Sequence, residues 1–244
     1  MKRLAASAIL TATTYVLLCG QQPNAPHQFF PMTVGTYWVY EGTVSWPNPE
    51  TEEPVNQAVS WKMSVLKVAR KKGLVGIIVL GFPADLDWST GKTEPQPWLI
   101  LEDEKRQVYR ANLGPNYDLT RLDGPDPPLE RFLDQDALLF EWPLRKGAKF
   151  CDEEAKPRED DLYCWVVTEE AVRPVSVKGI ASAQLPVFRL QYRSLPDGTS
   201  MDLVPGVGVI SYQYHHHGTV ADTDLKLVEF HPAPGVSEVQ GTNP

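Results

Sequence analysis

The chain has 244 residues, of which 42% are apolar and 22% charged, enough to bury a core and too apolar for a disordered polymer. Its formal charge of −8 argues against nucleic acid, which needs clustered Lys and Arg, and against a polybasic membrane patch. The 22 Pro and 17 Gly fit many short elements joined by turns better than a helical bundle.

The N-terminus reads as an export signal. Lys2 and Arg3 form a positive start, and residues 4–18 are uncharged and mostly apolar or small. That stretch is short for a membrane span. It stops at Cys19. The run Val16-Leu17-Leu18-Cys19 resembles the lipobox of bacterial lipoproteins, with Leu18 where Gly, Ala or Ser is usual. The expected organisation is a signal peptide over 1–18, a lipid-attachment Cys and linker over 19–28, a single β domain over 29–231 and a disordered tail over 232–244. With Cys19 carrying lipid, Cys151 and Cys164 remain as a pair, and an exported chain meets a compartment where such pairs close.

The body of the chain alternates with a period of two. Residues 36–45 are aromatic and β-branched. Val59, Trp61, Met63 and Val65 recur opposite Ser60, Lys62 and Ser64, the pattern of a half-buried strand. Residues 73–82 form a continuous apolar run bounded by Gly and Pro, as in a central strand. Residues 98–101 and 107–110 flank a polar turn and predict a hairpin. Residues 127–133 predict one or two helical turns, opened by Pro. Strands follow at 162–168, 187–193, 207–215 and 225–230, with turn chemistry at Pro196-Asp197-Gly198. The expected fold is all-β: an antiparallel sandwich or an open, curved barrel of about ten to twelve strands.

Phe30 to Trp38 echoes Trp142 to Phe150: aromatic, Pro, Met or Leu, two residues, Gly, two residues, aromatic. Pro would hold the approach extended and Gly would permit a turn into the next strand. The echo fits a shared strand-entry device, or two halves of one β architecture.

The opening run Phe29 to Tyr40 (FFPMTVGTYWVY) and the late run Pro205 to Tyr212 (PGVGVISY) together resemble bacterial cell-envelope lipoproteins of uncharacterised function. The resemblance implies an envelope-anchored β domain, at the outer membrane or the periplasmic face where the host has one. It implies no catalytic residues.

Candidate chemistry is sparse. His215 and His217 would share one face of a strand and could start a metal site, with Asp222 or Asp224 folding back as a further ligand. Asp85 to Gly91 resembles a calcium loop but has Thr90 where Gly is needed and Gln96 where the closing Glu belongs. No nucleophile elbow, zincin motif or phosphate loop is present. Trp38, Trp61, Trp98 and Trp165 fall on predicted strands as core fillers or cavity lining. Trp46 and Trp88 fall near turns and are the candidates for contact with a ligand. The reading is therefore a non-enzymatic envelope protein that needs no cofactor, binds the membrane through its lipid, and has a structural role or an envelope-protein partner. A carrier of an apolar ligand in a Trp- and Tyr-lined sheet is the first alternative. A metal-dependent enzyme using the His215/His217 face is the second. The acidic surface suits a monomer.

Overall fold

The computed structural model describes residues 29–151, 158–216 and 221–234. The expected signal, Cys19, its linker, His217 and all but the first residues of the expected tail lie outside them. The fold is all-β, with 12 antiparallel strands in one sheet. In chain order they are β1 (Tyr37–Pro47), β2 (Pro54–Lys71), β3 (Leu74–Leu80), β4 (Pro97–Asp103), β5 (Gln107–Asn112), β6 (Leu138–Glu141), β7 (Lys149–Cys151), β8 (Cys164–Val177), β9 (Ile180–Arg193), β10 (Asp197–Val204), β11 (Gly208–His216) and β12 (Ala221–His231).

Each strand pairs with the next, except across one seam. The order is β6-β5-β4-β3-β2-β1-β12-β11-β10-β9-β8-β7. This is an up-and-down meander rolled until its first strand meets its last. β1 pairs with β12 from Tyr37↔His231 to Ser45↔Asp222. The seam falls between β6 and β7, which are joined by residues 142–148. The result is a nearly closed barrel.

Alternation sets what the interior holds. In β1, Trp38, Tyr40 and Val44 are buried, and in β2 so are Trp61, Met63 and Val65. They join Ile77, Val79, Ile100, Val167, Leu190, Leu203, Tyr212 and Leu225 in one core. The interior polar handles are satisfied by backbone. Trp38 Nε1 donates to Val207 O at 2.7 Å, Tyr40 OH to Val209 O at 2.9 Å and Trp61 Nε1 to Gly81 O at 2.9 Å. A buried Trp or Tyr held this way is a core filler.

The continuous apolar run of β3 has a second cause. Ile77 and Val79 face the interior, while Leu74 and Ile78 belong to a separate outer cluster with Leu99, Leu101, Leu122 and Leu129. That cluster lies under the long connection 113–137, which crosses the outer wall in short 3-10 turns. One of these, Leu129–Phe132, falls where sequence predicts a helical turn. β3 is thus buried on both faces.

The internal echo is structural. Thr36 N bonds Thr33 O, Gly35 N bonds Val65 O, and Val65 N bonds Thr36 O. Ala148 N bonds Arg145 O, Gly147 N bonds Val167 O, and Val167 N bonds Ala148 O. Gly35 and Gly147 both take positive φ, +92° and +87°, which a side chain would oppose. The bulge between Val65 and Lys67 recurs between Val167 and Glu169. A shift by six strands places β1 on β7 and β2 on β8, so the strand entry and the bulge that follows it recur in each half.

Cys151 and Cys164 face each other on β7 and β8 and form a disulfide, with Cα atoms 4.0 Å apart. This is the pairing expected from the cysteine count.

Candidate functional site

The two ends of the barrel differ. At one end the chain enters through Phe29 and Phe30. Phe29 packs edge-on against Phe140 and Trp142, and its carbonyl accepts from Gly206 N. The β8–β9 tip folds in at the same end, where Lys178 N bonds Val228 O and Phe230 N bonds Lys178 O.

The opposite end is covered by the β3–β4 connection, residues 81–96. Two apolar side chains plug the mouth: Phe82 and Leu86 are buried. The segment then reaches across to the far wall. Leu86 O accepts from Thr223 Oγ1 of β12 at 2.9 Å. Both carboxylate oxygens of Asp87 accept from Tyr212 OH of β11, at 2.8 and 2.9 Å. Asp85 accepts from Trp98 Nε1 at 2.8 Å and from the Gln96 backbone N–H at 2.9 Å. The matching β9–β10 connection of the second half is only residues 194–196. The lid is therefore an elaboration on one half of a repeated frame.

Beneath it lies a cluster of packed polar and aromatic side chains. Arg110 of β5 points inward, its guanidinium 5.1 Å from the Phe82 ring, 5.4 Å from Trp98 and 5.6 Å from Trp165. These cation–π contacts span the top of the seam, because Trp165 stands on β8. Arg110 Nη1 is buried and has no hydrogen-bond partner among the described residues. Burial pushes the Asp87 carboxyl up to about 7, against the opposing pull of the Tyr212 hydroxyl and the Arg110 charge. Burial also raises Asp85. A carboxyl that changes charge near neutral pH, inside an end cap, marks this as the candidate site.

A second polar chain forms the rim. Asp197 accepts from Tyr214 OH at 2.6 Å and lies 2.7 Å from His216 Nδ1. Burial pushes Asp197 up, but these two hydrogen bonds outweigh it and its carboxyl titrates below the usual range. The Trp88 ring stands edge-on to His216, centroids 4.4 Å apart, and packs on Tyr214 at 5.8 Å.

The residues singled out in the sequence are partly brought together. Trp88 lies on the lid and is 59% exposed. Trp46, at the end of β1, is half-buried and lies under the lid near Gly91. Both therefore belong to this end, Trp88 as surface and Trp46 as support. His215 points outward and contacts Asp222, its cross-strand neighbour. His216, on the other face, is the histidine that joins the lid. No group of three His, Cys, Asp or Glu that could hold a metal occurs among the described residues. The acids of the calcium-like run are engaged by Trp98, Gln96 and Tyr212. Two open surface grooves also exist. One of about 390 Å³ lies at the entry end beside Met32 and Arg70. One of about 500 Å³ lies on the outer wall over Gly198, between Gln191 and Gln213.

Sequence reasoning missed Arg110, Tyr212, Asp197 and His216 as members of one site. Asp87 and Tyr212 are 125 residues apart in the chain, and only barrel closure joins them. The available signal was the acidic, Trp-containing run 85–88 inserted between two apolar strands.

No protein-family model matches the chain. No curated protein matches it. Among solved structures, the chain is similar to a lipoprotein candidate from Parabacteroides distasonis, with 10% identity over 84% of this chain and 98% of that one, at a TM-score of 0.38. It is also similar to a candidate exported protein with a YmcC-like fold from Bacteroides fragilis, with 7% identity over 84% of this chain and 99% of that one, at a TM-score of 0.41.

Proposed function

We propose that the protein is an exported, lipid-anchored envelope protein whose barrel is a non-enzymatic binding module, with the lid end as its binding face. The observation that carries this reading is the polarity of the barrel. The chain enters at Phe29, at the end opposite Trp88 and the lid. A tether at Cys19 would leave the lid end pointing away from the membrane. Two or three acyl chains hold a protein stably where one does not.

The filled interior supports a binding surface over a hollow carrier. Trp38, Tyr40, Phe30, Phe82, Phe140 and Tyr212 are each at most 1% exposed. A metal-dependent reaction draws no support from His215, which meets one carboxylate.

Fractionation of a producing bacterium tests the reading. The native chain is expected in the membrane fraction and in the detergent phase on phase partition. Cys19→Ser is expected in the soluble envelope fraction with its disulfide formed. Equal distribution of the two chains would overturn the anchor. Recovery of both from the cytoplasm with reduced Cys151 and Cys164 would overturn export.

A further inference from the structure

We propose that the lid-end rim around Trp88 and Leu195 docks a protein segment that presents lysine or arginine around an apolar side chain. The inference rests on the reading of the lid end as a binding face and names what that face takes.

The rim carries two of the most exposed large apolar side chains among the described residues. Trp88 is 59% exposed and Leu195 is 73% exposed. Leu195 sits in the short β9–β10 turn and Trp88 on the lid, so they come from opposite halves of the barrel. One line of contacts joins them. Trp88 rests on His216, His216 meets Asp197, and Asp197 accepts from the Ser194 hydroxyl at its carboxylate and donates to that same oxygen from its backbone N–H, Ser194 being the neighbour of Leu195. Tyr214 braces the same line from below, through its ring against Trp88 and its hydroxyl on Asp197. The two apolar groups therefore stand on a hydrogen-bonded platform. Burying a pre-ordered Trp loses little side-chain entropy, the property that makes such residues binding hot spots.

Charge selects the partner. At this end of the barrel, the described parts of the connections expose Glu50, Glu52, Glu53, Glu94, Glu159 and Asp160. Against these six stand the exposed bases Lys92, Arg158 and Arg193; Arg158 and Asp160 pair at 2.5 Å, which leaves five acids against Lys92 and Arg193. An apolar patch on an end with an excess of acids favours a cationic partner and repels an acidic one. The exposed Trp88 ring adds a face for an ammonium or guanidinium group.

The test uses the full chain carrying Cys19→Ser, so that lipid plays no part, and a short amphipathic Lys/Leu peptide as probe. A Glu/Leu peptide of the same length is the control. Saturable binding of the Lys/Leu peptide is expected, with hydrogen-exchange protection confined to 86–90 and 194–198, and with affinity falling as salt rises. Trp88→Ser combined with Leu195→Ser is expected to weaken binding at least about tenfold without moving the melting temperature. Should that pair fail to fold, the exchange footprint on the unsubstituted chain decides. Equal binding of the Glu/Leu peptide, a footprint elsewhere, or unchanged affinity in the folded double variant would overturn the proposal. So would a dimer of the native chain that Leu195→Ser dissolves, since a second copy would then be the occupant. Mislocation of the native chain in the fractionation experiment would instead defeat the export reading and leave this result standing.

Discussion

Asp87 is held in a cap where burial raises its carboxyl to about 7, while Tyr212 supplies its hydrogen bonds. In the unfolded chain an Asp titrates at about 4. The folded state therefore binds more protons between those values, and stability is lost as pH climbs from about 4 to about 7. The sign is opposite to that of a salt-bridged Asp. Asp87→Asn removes the charge and keeps a carbonyl to accept from Tyr212. Its stability is expected to match the native chain near pH 4 and to exceed it by about 2–4 kcal/mol near pH 8, after allowance for relaxation of the lid. Urea melts across that range measure this. A gap that does not grow with pH would contradict the account. Asp202 on the outer wall is the contrasting residue. It is 6% exposed and bonds Arg173 at 2.5 Å and Arg189 at 2.7 Å. Asp202→Ala leaves two guanidinium groups facing each other and is expected to cost about 2–3 kcal/mol at neutral pH, read from denaturant melts.

At the scale of elements, three features fix the barrel. The disulfide ties the short β7 to β8 beside the seam. Replacing Cys151 and Cys164 by Ser is expected to lower stability by about 3 kcal/mol in the chain-entropy picture. Reductant should give the native chain the same loss. The β8–β9 tip docks on β12 through Gly179, where a Cβ would lie 1.8 Å from Phe230 O. Gly179→Ala is expected to undock the tip, visible as lost exchange protection at Lys178 and Phe230. The third feature is the pair of Gly-containing strand entries that begin β1 and β7. Much of this was legible in the sequence. Period-two alternation located β1, β2 and the end of β9, and the polar turn located the β4–β5 hairpin. The doubled Pro and Gly entry was legible too, although nine residues could not separate a shared device from a repeated half. The seam strands β6 and β7 were not legible, because four and three residues are too short to show a period. The lower part of β8 was hidden by Glu169, Glu170, Arg173 and Pro174, residues that edge strands use to discourage pairing.

At the scale of the molecule, the barrel is a symmetric frame with asymmetric ends. Both long additions, the lid over 81–96 and the outer strap over 113–137, belong to the first half. One closes the mouth and supplies Trp88, and the other buries the outer face of β3 and β4. This is why the site was only half legible. Trp88 and Trp46 were identifiable as aromatics near turns, and the structure places both at one end. Their partners come from β5, β10 and β11, and alternation says which side of a strand a residue occupies but not what faces it across a barrel. Filling of the interior was equally open until closure set Trp38, Tyr40 and Trp61 against backbone carbonyls. The proposed tether, the closed entry end and the exposed lid end make one proposed account: a barrel held at one end to bind at the other. The most direct test is the mass of the N-terminal peptide from chain purified out of membranes. The account predicts a peptide that begins at Cys19 and carries two or three acyl chains. A peptide without lipid, or one that retains residues 1–18, would contradict it.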